Sequence, residues 1–124
     1  MRIKFYTRFV VSFEKDIRWL GSSYSDLLAF PDEARRVAGF QLSKIQFGLD
    51  PDDWKPFDIV GAGTKEIRLR ESGGSYRVMY VAKFEEAIYV LHCFQKKTQT
   101  TNKQDKDITE ARYRAVVNAR QSKI

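Results

Sequence analysis

Hydrophobic positions along the chain change period several times, and each change predicts an element. Arg2 to Tyr6 carries the isoleucine and aromatic residues of a short strand. Phe9 or Val10, Phe13, Ile17 and Leu20 then recur at steps near three and four, which predicts a first amphipathic helix. Gly21, Ser22 and Ser23 interrupt that pattern. A second helix is expected to open at Pro31, followed by Asp32 and Glu33 at the positive end of its dipole. Its apolar stripe is Ala34, Val37, Ala38, Leu42 and Ile45, and Gly48, Asp50 and Pro51 end it.

The segment WKPFDIVGAG, from Trp54 to Gly63, mixes bulky apolar residues with Pro and Gly and reads as an ordered connecting loop. Three strands follow, KEIRLRE, YRVMYVAKF and AIYVLHCFQ, rich in β-branched and aromatic residues. SGGS and the corner Phe84-Glu85-Glu86-Ala87 separate them as hairpin turns, giving an antiparallel meander. From Lys103 to about Ala119 the spacing of Ile108, Ala111, Ala115 and Val116, with Tyr113 alongside, returns to a helix. The fold class is therefore α+β: N-terminal helices on an antiparallel sheet, closed by a C-terminal helix.

Turn length sets the register of the meander. A two-residue Gly73-Gly74 loop or a four-residue SGGS loop both place Arg70 opposite Arg77, and either reading of the second turn places Arg77 opposite Phe94. Alternation then sorts the side chains. One face carries Arg68, Arg70, Arg77, Met79, His92, Phe94 and Lys96; the other carries Ile67, Leu69, Tyr76, Val78, Tyr80, Ala82, Tyr89, Leu91 and Cys93 and is nearly all apolar. The apolar face is the bed for the N-terminal helices. The first face is expected to be open and without matching acids, so its arginines favour an external anion, and losing Arg77 should cost little stability.

Composition narrows the class. A chain of 124 residues is expected to form a single domain, 1–124, with an ample core, and its one cysteine, Cys93, cannot form an internal disulfide. The basic balance, +6 at neutral pH, points to anionic partners such as nucleic acid, a ribosome or an acidic protein. No apolar stretch is long enough to span a bilayer, and charge interrupts the start before a signal core develops, so a cytoplasmic protein without a membrane role is expected. Gly61-Ala62-Gly63 is no dinucleotide fingerprint, and one His with one Cys makes no ordinary transition-metal set. Asp50, Asp52 and Asp53 could bind a hard cation weakly, although solvated acids at a helix end are the simpler reading. Trp54 and Phe57 read as a plug over the core rather than a base-stacking pair, and Cys93 as an inert core thiol.

The order of elements, with FGLDPDDWKPF at 47–57, EIR at 66–68, YRVMYV at 76–81 and VLHCFQKKTQ at 90–99, resembles the RelE/HigB toxins of type II toxin–antitoxin pairs, in particular the phage-derived HigB-like branch. The resemblance runs from about Leu27 to Tyr113. It implies a RelE-like fold and a metal-independent endoribonuclease without cofactors, cutting messenger RNA on the ribosome by attack of a 2′-OH on the adjacent phosphate. It also implies an antitoxin, a small helix-turn-helix protein, as partner. By this similarity Arg77 is the phosphate-stabilising arginine, Arg68 a second basic group, and Lys96 or Lys97 the basic position after the last strand. His92, the only histidine, and Lys96 are the candidates for proton transfer. Arg70, Phe94 and Lys97 are the expected RNA-binding neighbours. Many relatives have proline where this chain has Asn102, so the entry to the last helix should differ. Related ParE-like proteins inhibit gyrase without nuclease activity, and a phage-derived accessory role is the other alternative; the fold alone decides neither.

Overall fold

The structure is a computed structural model that describes residues 14–122. The elements are β1 (Asp16–Trp19), α1 (Ser23–Leu28), α2 (Asp32–Gln46), β2 (Trp54–Pro56), a 3₁₀ turn (Asp58–Val60), β3 (Thr64–Glu71), β4 (Gly74–Val81), β5 (Ala87–Lys96) and α3 (Lys103–Gln121). The strands form one sheet in the order β1-β5-β4-β3-β2. The class is α+β, with helices on the sides of the sheet and α3 at the C-terminal end. The meander β3-β4-β5 is antiparallel, but β1 joins β5 in parallel, so the sheet is mixed.

The expected first helix is corrected at its C-terminal end. Ile17 lies in β1, opposite Ile88, and Ile17 and Trp19 both pack against the core under α1 and α2. Four residues cannot distinguish a step of two from a step of three or four, and pairing with β5 chose the strand. Phe9, Val10, Phe13 and the strand expected at Arg2 to Tyr6 lie outside the described residues. A six-residue helix, α1, stands between the expected break at Gly21 to Ser23 and the helix expected from Pro31, in a segment for which no element was expected. Gly21 supplies the turn before it at φ +54°.

For α2 the expected stripe holds: Ala34, Ala38, Leu42 and Ile45 are buried in the core and Val37 packs beside them. Pro31, expected at the first helical position, sits instead at the N-cap, and the helix opens at Asp32. The loop expected from Trp54 to Gly63 contains β2 and the 3₁₀ turn. Pro56 cannot donate to a further strand, which suits β2 to the sheet's edge.

Two cores flank the sheet. Ile67, Leu69, Tyr76, Val78, Tyr80, Ile88, Val90 and Cys93 face α1 and α2. Met79, Val81, Ala87, Tyr89, Leu91 and Phe94 face Val116 and Tyr113 of α3, with Phe57 packed at the margin. Tyr89 and Leu91 were expected on the first of these faces and lie on the second. The cause is an irregularity in β4-β5: Met79 pairs His92, whereas Tyr80 pairs Val90, so Leu91 is an extra residue that reverses the alternation of everything before it. Arg77 still pairs Phe94, because it lies beyond the bulge.

The C-terminal helix covers part of the face expected to be open. Asn102 caps it by accepting a hydrogen bond from the Asp105 amide at 2.8 Å. Asp105 then sits in the first turn and Arg120 in the last, each favourable to the helix dipole. The Tyr113 hydroxyl donates to the Ala62 carbonyl at 2.7 Å, and its ring lies on Gly61, where a Cβ would collide with it. Arg112 donates to the Leu91 carbonyl, and Arg120 to the Glu86 carboxylate. No helix among the described residues is long and apolar enough to cross a membrane.

Candidate nucleic-acid interface

The β3-β4 turn decides which cations stand side by side. Ser72 (φ +54°) and Gly73 (φ +76°) are both left-handed, as a two-residue primed turn requires, and Glu71 pairs Gly74. The expected loop was Gly73-Gly74 or SGGS. The observed turn starts one residue earlier, shifting the register by two: Arg68, not Arg70, pairs Arg77, and Arg70 pairs Ser75. An even shift leaves every side chain on its expected face.

The result is three rows across β3, β4 and β5. Glu66 pairs Met79, which pairs His92; Arg68 pairs Arg77, which pairs Phe94; Arg70 pairs Ser75, which pairs Lys96. Lys55 of β2 extends the first row beside Glu66. The structure therefore brings Arg68, Arg70, Arg77, Phe94 and Lys96 onto one face, with Lys97 just beyond.

Glu66 overturns the expectation of a face without acids. Its side chain is fully buried, with one carboxylate oxygen 3.5 Å from Arg77 Nε and the other 3.8 Å from Lys55 Nζ. Arg77 is itself only 6 % exposed, so the expectation that its removal would leave no buried acid unpaired is also wrong. Its Nη1 donates to the Tyr76 carbonyl at 3.0 Å, its Nε faces Glu66, and its Nη2 has no partner among the described residues. Burial lowers the Arg77 pKa, and Glu66 opposes that while Arg68 and Arg70 add to it. Glu66 stands two residues before Arg68, so alternation along EIR would have placed it on this face.

Arg68 is partly exposed and held at the rim by Asp53, 2.9 Å from its Nη2 and 3.0 Å from its Nε. Asp50 and Asp52 likewise pair with Lys65 and Lys44. Among the described residues no group of three or more His, Cys, Asp and Glu is arranged to hold a metal. Arg70, Lys96 and Lys97 have no ion pair among the described residues. They line an open polar groove of about 570 Å³ at the hairpin end of the sheet, with Ser72, Gly73, Gly74 and Ser75. Burial, then repulsion from Arg77, lowers the Lys96 pKa.

His92 is on the expected face but under α3. Its Nε2 is 2.7 Å from Asp105 Oδ1, its ring stacks on Phe94 at 4.9 Å, and its Nδ1 is buried without a partner. The imidazole thus holds α3 against the sheet and is shielded from the groove. Phe94, 9 % exposed, supports that stack and offers little free ring to a base. Cys93 is buried in the other core, where burial raises its thiol pKa, as an inert residue requires.

This is a small α+β protein whose sheet carries a ladder of cations around one buried carboxylate. It belongs to the phage-derived Gp49-like family (Phage derived protein Gp49-like, DUF891), whose family model matches residues 25–114. Nothing among curated proteins matches the chain.

Proposed function

We propose that the protein is the toxin of a toxin–antitoxin pair, a metal-independent endoribonuclease that cuts messenger RNA on the ribosome in the cytoplasm. The observation that carries this reading is the side-by-side pairing of Arg68 and Arg77, with Lys96 lining the groove at the end of the same face. Family membership and the resemblance to RelE/HigB proteins support it. Two guanidinium groups on adjacent strands offset the charge that grows on phosphate oxygens when a 2′-oxygen attacks. Glu66 is the positioning residue: it takes up the Nε edge of Arg77 while Nη1 is held by the Tyr76 carbonyl, leaving Nη2 for the phosphate. Lys96, its ammonium made more acidic by its surroundings, donates the proton that the departing 5′-oxygen needs, while the 2′-hydroxyl gives its proton to solvent water, from which Lys96 is reprotonated. The products are a 2′,3′-cyclic phosphate and a 5′-hydroxyl. His92 acts through α3 and does not touch the RNA. A small helix-turn-helix antitoxin silences the protein in the cell.

Induced expression tests the reading. Growth should arrest, primer extension should show cuts in translated messages, and co-expression of the adjacent gene should restore growth. Growth arrest with intact messages and accumulated DNA breaks would replace this reading with gyrase inhibition.

A further inference from the structure

The row beyond the Arg68–Arg77 pair has a composition of its own. Arg70 and Lys96 flank Ser75, so two long cationic arms stand either side of a short hydroxyl, about 10 Å apart at the backbone, two strand spacings. The small centre leaves a notch where the preceding row is filled by Arg77. The open groove lined by Arg70, Ser75, Lys96 and Lys97 lies here, and none of these cations has an ion pair among the described residues. Glu71, the one acid in the lining, is turned to the other face by strand alternation. Arg68, by contrast, is already held by Asp53, and Arg77 by Glu66. The unneutralised charge is therefore concentrated in this outer row.

The geometry points to a second phosphate site in the Arg70–Ser75–Lys96 notch, which takes the phosphodiester next to the one at Arg68 and Arg77 in a single RNA strand running along the β-strands. This rests on the proposed RNA substrate. The two rows are two strand residues apart, about 7 Å, comparable with one backbone step of an extended nucleic-acid strand. Arg70 and Lys96 supply charge, the Ser75 hydroxyl a neutral donor, and Lys97 screens the outer edge. A duplex is disfavoured, because the notch holds one strand edge-on between two side chains.

The test uses the whole protein and a 2′-O-methyl dinucleotide, which cannot be cleaved, with no terminal phosphate, a 5′-phosphate or a 3′-phosphate. One of the two phosphorylated forms should bind the wild type about tenfold more tightly than the plain dinucleotide, as one charge-assisted contact allows. Arg70→Gln and Ser75→Ala should lose most of that increment, and Arg70→Gln should flatten the salt dependence by about 0.7 in log–log slope. Arg114→Gln, on the exposed side of α3, should keep both. An increment absent in the wild type, or undiminished in Arg70→Gln, would overturn the inference even if the protein cuts messages on the ribosome. An increment that is lost in Arg70→Gln, in a protein that leaves messages intact, would sustain the phosphate site and overturn the nuclease reading alone.

Discussion

Replacing Arg77 by alanine removes the only cation that faces Glu66 from β4. Both side chains are buried, Glu66 fully, and removing one member of such a pair typically costs about 3–5 kcal/mol because a charge is left uncompensated. Two features place this pair at the lower end. Lys55 remains 3.8 Å from the other carboxylate oxygen, and the loss relieves repulsion between Arg77 and its neighbours Arg68 and Arg70. A loss of about 3 kcal/mol follows, which lowers the melting temperature by on the order of 10 °C for a chain of this size. The measurement is urea unfolding of single and paired variants. Arg77→Ala and Glu66→Gln should each be destabilised, whereas Glu66→Leu with Arg77→Met should recover most of the loss, since an apolar pair needs no partner. At temperatures where Arg77→Ala remains folded, cleavage should fall by about 30- to 1000-fold, the range for one charged transition-state contact. Arg77→Lys should recover part of it. An Arg77→Ala protein as stable as the wild type, or an apolar double variant no better than the single ones, would refute the buried-pair reasoning.

Three further outcomes are expected. Glu86 is held at a pKa of about 2, from an ordinary 4.5, by hydrogen bonds from Arg120 and then Tyr89. Its stabilising contribution is complete above the unfolded value and is lost as pH falls from about 4.5 toward 2; because the pair is at the surface, Glu86→Gln should cost no more than about 1 kcal/mol at pH 7, and urea titrations near pH 2 should find no difference. Gly61→Ala places a methyl group against the Tyr113 ring, whose hydroxyl is fixed on Ala62, so it should destabilise by about 1–3 kcal/mol, with Tyr113→Ala in the same chain relieving the clash. Asn102→Ala removes the α3 cap and should cost about 1 kcal/mol by thermal melting, with amide exchange rising first in the opening turn of α3.

Much of the architecture was legible because the long elements carry strong local patterns, unbroken in all but β5. The stripe of α2, the three strands of the meander and the span of α3 follow from local pattern and end signals. The short pieces were not legible in the same way. β1 has four residues and β2 three, too few for a period, and they exist because β5 and β3 offered an edge to pair with. The pairing of Arg77 with Phe94 was expected from a turn that the chain does not make; the extra residue at Leu91 compensates, and the same residue moves Tyr89 and Leu91 to the α3 face.

The sequence by itself determined which residue types share each face near the hairpin, since alternation survives an even shift of register. Arg68, Arg70, Arg77 and Lys96 are together for that reason, and Cys93 is buried opposite them. What only the tertiary structure decided is which of them touch and which see water. A primed turn at Ser72-Gly73 paired Arg68 with Arg77. Packing of α3, through Asp105 and Tyr113, enclosed His92 and left the outer row of cations open. Glu66 could be assigned a face from its place in β3, but its burial against Arg77 depends on neighbours from β2 and β4 that converge only in the folded chain, and burial is what turns an ordinary glutamate into the partner on which that arginine depends.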